Sequence, residues 1–113
     1  MQLFEIKKRQ LLAVLLTELE AQLRLLKCWQ STRPSERSLA SIEPFSIDTL
    51  CFTQWLQFIF IEKMTQLLQL NLPLPTAMEI APMASEFFKM QKVNSGEILA
   101  LIIRIDCVIN EKN

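Results

Sequence analysis

Histidine and tyrosine are absent from the 113 residues, and glycine occurs once, at Gly96. Without histidine there is no Ser-His or Cys-His nucleophile pair and no imidazole metal ligand. A single glycine cannot build the glycine-rich loop that brings backbone amides up to a phosphate. Net charge is missing too: twelve basic side chains balance twelve acidic ones. A sequence pI near 6.3 gives none of the basic footprint expected of a nucleic-acid binder. Long apolar runs are also lacking. The stretch Leu11–Leu16 follows Lys7-Lys8-Arg9 as in a signal peptide, but Thr17-Glu18-Leu19-Glu20 comes next and no small-residue cleavage site appears. Runs of that length do not span a bilayer.

The three cysteines, Cys28, Cys51 and Cys107, are odd in number and form no CxxC. Exported disulfide frameworks carry even counts, so free thiols in a reducing cytoplasm are expected. Buried apolar thiols are a better reading than a zinc site, since no fourth ligand is evident. No metal or other cofactor is expected. What the chain does have is apolar surface. Half of its residues are hydrophobic and the mean hydropathy is +0.23, more than one small core readily hides. Part of that surface should meet a protein partner or a second copy.

Length fits one domain covering residues 1–113. From about Leu3 to Cys28, Leu12, Leu16, Leu19, Leu23 and Leu26 line one face of a long helix. Residues 29–46 are polar and aperiodic, which predicts a long connection, mobile at first and then pinned where Ile42, Phe45 and Ile47 touch the core. A central helix should run from about Phe52 to Leu70, starting at Thr49 or Cys51, with Gln54, Gln57, Glu62, Thr65, Gln66 and Gln69 on a narrow wet edge. Leu72-Pro73-Leu74-Pro75 ends it. A shorter helix follows, with Pro82 in its first turn and Met83, Phe87, Phe88 and Met90 facing inward. Asn94, with Glu97 three residues later, starts a last helix reaching about Ile109. Ile103-Arg104-Ile105-Asp106-Cys107 alternates like a strand, yet Ile98, Leu101 or Ile102, Ile105, and Val108 or Ile109 keep helical spacing. The fold class is therefore all-α, a single bundle of about four helices with a long connection between the first two.

Four groups of residues invite a functional reading. Phe45, Asp48, Thr49 and Trp55 would form a pocket with a carboxylate poised over it; the competing reading makes Asp48-Thr49 a helix-start device, which is standard cap chemistry. Leu72, Pro73, Leu74 and Pro75 form either a rigid segment for docking a partner or a stiff connector. Leu99 and Ile103 flank the core face of the last helix, where they either make a self-association seam or lie under the first helix. Lys7, Lys8 and Arg9, with Arg24 and Lys27, would touch RNA phosphates, but three adjacent residues point about 100° apart on a helix and make no stripe.

Pro44-Phe45-x-x-Asp48-Thr49, Trp55-Leu56-Gln57, Met64, Leu72-Pro73-Leu74-Pro75 and Ala81-Pro82 together resemble the YqcC-like family of small bacterial all-helical proteins. Phe58, Glu62 and Met83 depart mildly from that pattern. The resemblance implies a compact helical bundle. It also implies a gene neighbourhood shared with tRNA pseudouridine synthase C, which makes that enzyme the first protein partner to test. Pseudouridine synthases use a mixed α/β catalytic domain, for which this chain is too short and too poor in strands. The reading that follows is a non-catalytic interaction or accessory protein. Its rivals are a small enzyme or ligand-binding protein centred on Asp48 and Trp55, and a weak RNA binder.

Overall fold

The computed structural model describes residues 2–111. Among them the secondary structure is wholly helical. Helix α1 (Leu3–Leu25) buries Leu12, Leu15, Leu16, Leu19 and Leu23 along one stripe. It stops without glycine. Lys27 takes a left-handed conformation (φ 61°), the Cys28 N–H donates to the Leu23 carbonyl at 2.8 Å, and the Lys27 N–H donates to that of Arg24 at 3.0 Å. This is a Schellman stop with lysine in the position usually held by glycine.

The connection to the next long helix is better anchored than its polarity suggests. Gln30 is held through both its backbone N–H and its C=O by the side chain of Gln57, at 2.9 and 2.8 Å. Arg33 reaches Glu62 at 2.6 Å and lies over the Phe58 ring. A one-turn helix α2 (Glu36–Leu39) is capped by Ser35, whose hydroxyl accepts the Ser38 N–H. A tight turn at Pro44–Ser46 then leads into the central helix. Ile42 and Ile47 do not pin this segment. They are 96% and 63% exposed, and Phe45, Ser46 and Leu50 go inward instead.

The central helix is one uninterrupted rod made of α3 (Phe52–Trp55), a π-helical stretch Leu56–Ile61, and α4 (Glu62–Gln69). Cys51 is its N-cap residue. The wider π turn carries Leu56, Gln57, Phe58, Phe60 and Ile61 all into buried positions. Gln57, expected on the wet edge, is therefore inside, where its amide is used up on Gln30. The rod ends in a second Schellman stop at Asn71 (φ 54°), with the Leu72 N–H on the Leu67 carbonyl at 2.9 Å.

Helix α5 (Ala81–Lys89) carries Pro82 in its first turn and buries Ala84 and Phe88, with Met83 and Phe87 half-buried. Met90 follows the helix end and is 82% exposed, because the chain turns away there. Helix α6 (Gly96–Asn110) is a regular helix with Ile98, Ile102, Ile105, Val108 and Ile109 inside. Asn94 accepts the Gly96 N–H at 3.2 Å, one residue earlier than a capping box would place it. Helix α6 packs mainly on α1 and also on α5, while α4 lies against α1. No helix of the described residues is long and apolar enough to cross a membrane.

Candidate functional site

The apolar concavity beside the central helix begins with backbone geometry. Phe45 (φ 56°) and Ser46 (φ 50°) are consecutive left-handed residues, neither of them glycine. Such backbone costs energy at each position and persists only where surrounding structure holds it. Several ties hold it here. The Ser46 and Ile47 N–H groups donate to the Glu43 and Pro44 carbonyls, and the Leu50 N–H donates to that of Ser46 at 2.8 Å. The Thr49 hydroxyl donates to the Ser38 carbonyl at 2.7 Å, and the Ser41 hydroxyl donates to the Asp48 carboxylate.

The reversal turns the Phe45 ring onto Trp55, edge to face with centroids 4.8 Å apart, and toward Phe52 at 6.2 Å. Phe52 in turn meets Phe87 at 5.6 Å, and Phe87 meets Phe88 at 5.1 Å. Above these rings opens a concavity of about 360 Å³ lined by Phe45, Ile47, Leu50, Phe52, Met83 and Phe87, with Glu86 at its edge. A second concavity of about 400 Å³, between α1 and α6, is edged by Glu18, Glu97 and Arg104.

The sequence-derived candidates separate. Phe45 and Trp55 come together, whereas Asp48 and Thr49 do not join them. Asp48 accepts the Ser41 hydroxyl rather than facing the rings, and it takes no backbone N–H of the following helix. Both residues act as staples of the connection. In the proline segment, Leu74 is only 9% exposed and joins the core, while Leu72 and Pro73 are exposed and Pro75 is half-buried. The Leu72 carbonyl receives the Arg9 guanidinium, which also reaches the Leu67 carbonyl at 3.5 Å and Glu5 at 3.1 Å. On α6, Leu99 packs half-buried against the core and Ile103 is exposed.

Three of the basic residues considered for RNA are engaged. The Lys8 ammonium donates to the Ile109 and Glu111 carbonyls at 3.0 and 2.9 Å, and Arg9 serves the end of the central rod as above. Arg24 pairs with Glu20 at 3.0 Å and sits over the Trp29 ring. The cysteines also differ from expectation. Cys51 and Cys107 are exposed, because the first caps a helix and the second faces outward from α6. Cys28 is half-buried; burial pushes its thiol up, and the neighbouring Cys51 adds to this. Among the described residues no group of three or more Cys, Asp or Glu side chains is placed to hold a metal.

The most elaborate polar site escaped sequence reasoning. Asp106 is buried on α6, and its carboxylate accepts the Ile80 N–H at 2.8 and 3.0 Å and the Ala81 N–H at 2.7 Å. It caps α5 from another helix, where the dipole favours negative charge. One turn on, Asn110 accepts the Met78 N–H at 2.8 Å and donates to the Met78 carbonyl at 2.7 Å. The available signal was an acid on the same face as the buried isoleucines. Among the described residues no buried side-chain nitrogen or oxygen lacks a partner.

Fold and site together define a small all-helical bundle in which an apolar concavity lies beside the central helix and the polar clamps hold the elements together. The chain belongs to the family described as DUF446: tRNA pseudouridine synthase C, which matches residues 11–108. It is 38% identical over 74 residues to an uncharacterised protein of Haemophilus influenzae, covering 66% of this chain and 70% of that one. It is 32% identical over 93 residues to the uncharacterised protein YqcC of Escherichia coli, covering 82% and 85%. A third relative, tRNA pseudouridine synthase C of Pectobacterium carotovorum, is 42% identical over 60 residues, which are 53% of this chain and 16% of that protein. The solution NMR structure of E. coli YqcC superposes with a TM-score of 0.80 at 29% identity, over 92% of this chain and 89% of that one. The YqcC-like family and the helical bundle that the sequence motifs imply are both shown.

Proposed function

We propose that this chain is a non-catalytic accessory protein of the cytoplasm that docks on a tRNA pseudouridine synthase. The observation that carries the reading is the Pectobacterium relative. A segment similar to residues of this chain makes up 16% of a protein bearing the synthase's name. Two sequences that share one polypeptide in one organism are natural binding partners where they are separate. The family description carries the same enzyme name. The enzyme's chemistry does not transfer with it. The described residues are wholly helical and so do not form a mixed α/β catalytic domain, and a shared name is an associational warrant.

The test is size-exclusion chromatography with light scattering on this protein mixed with the synthase of the same organism, after RNase treatment. Co-elution at the summed mass is the expected result. Separate peaks at micromolar concentrations of both would end the reading. A second reading, binding of a small apolar ligand, draws on the concavity over Phe45 and Phe52, whose volume falls in the range of ligand sites. A ligand that raises the melting temperature of the wild type but not of Phe45→Ala would favour it. Direct RNA binding is disfavoured, since Lys8 and Arg9 already serve helix ends.

A further inference from the structure

We propose that the concavity bounded by Phe45, Ile47, Met83 and Phe87 receives an amphipathic helix of the partner protein, one with bulky apolar side chains flanked by lysine or arginine. The proposal rests on the accessory reading above and names its surface. Three independent observations converge there. The floor is a set of touching aromatic rings that is left open rather than roofed, with Phe45, Phe52 and Phe87 all lining it. Its rim residue Ile47 is 63% exposed although it lies beside the core. The backbone that aims Phe45 is strained at two consecutive residues, and strain of this kind clusters at binding sites. A volume of about 360 Å³ suits two or three large side chains, as successive anchors of one helix face would supply.

Charge selects the occupant. Glu86 lines the concavity, Asp48 directly follows the rim residue Ile47, and Glu43 lies two residues before Phe45; all three are exposed. Asp48 is held by a neutral hydroxyl, which leaves its charge in place. Lys89 offsets part of the Glu86 charge through an exposed contact at 3.3 Å, and such contacts are weak. An apolar trough with acidic surroundings favours a basic amphipathic segment and repels an acidic one.

The experiment is calorimetric titration of the synthase with the wild type and with Ile47→Arg, Glu86→Lys and Ile103→Arg. All three positions are exposed, so the bundle should tolerate them, and circular dichroism melts check that it does. Affinity should fall at least tenfold for Ile47→Arg and severalfold for Glu86→Lys, with Ile103→Arg unchanged, and rising salt should weaken the wild-type complex. A complex indifferent to Ile47→Arg and Glu86→Lys overturns the groove proposal and leaves the accessory reading standing. No complex with the wild type overturns both. A wild type that is itself dimeric and becomes monomeric on Ile47→Arg assigns the groove to a second copy and overturns the proposed occupant.

Discussion

Asp106 shows how much one residue can carry in a chain with little polar equipment. Its carboxylate is the N-terminal cap of α5, supplied from α6 through three short contacts. Asp106→Ala should cost about 2–3 kcal/mol, since charged hydrogen bonds are lost and two amides are stranded. Urea unfolding checks this, and an effect below about 0.5 kcal/mol would contradict it. The left-handed lysine makes the opposite case. Lys27→Gly should stabilise by roughly 1 kcal/mol because the Cβ penalty disappears while the Schellman bonds remain. Gly96, by contrast, has no positive φ, and a methyl group there would meet only the Asn94 side chain, at an ordinary contact distance of 3.5 Å. Gly96→Ala should therefore also raise the melting midpoint. The thiols should separate kinetically. Burial holds the Cys28 thiol up, so little thiolate is present at pH 8, and iodoacetamide should label the exposed Cys51 and Cys107 well ahead of it. Peptide mass mapping over time reads the order.

At the scale of elements, legibility followed the range of the forces involved. The leucine ladder of α1, the prolines after the central helix and the choice of helix over strand at Ile103–Ile105 all rest on spacing within a few residues, and each matches the structure. The π stretch does not, because the extra residue per turn is repaid only by neighbours that bury Phe58, Phe60 and Ile61 together. Nor do the carboxamide clamps of Gln57 on Gln30 and Asn110 on Met78, whose partners lie 27 and 32 residues away. The candidate site was half legible for the same reason. Phe45 and Trp55 stand out by their aromatic character, but the left-handed turn that brings them together and sends Asp48 toward Ser41 has no local signature. The proline segment gives a direct check. Leu74 is held in the core between two prolines, so Leu74→Ala should cost about 2–4 kcal/mol. Exchange of Pro73, which is exposed, should cost far less. Equal losses from the two substitutions would show that the prolines, not the leucine, fix the connector.

For the whole molecule, the order of the chain and the order of its contacts run in opposite senses. Helix α1 ends about seventy residues before α6 begins, yet it packs mainly on that helix, and Lys8 reaches the carbonyls of Ile109 and Glu111. During synthesis the leucine stripe of α1 therefore waits for α6 while about seventy further residues are added, roughly 4–14 s at about 5–20 residues per second. During that interval five large apolar side chains have only the part of their native cover that α4 supplies. The α1–α6 contact therefore cannot form until α6 has been made, and shielding of the exposed part of the leucine stripe before then should favour correct closure of the bundle.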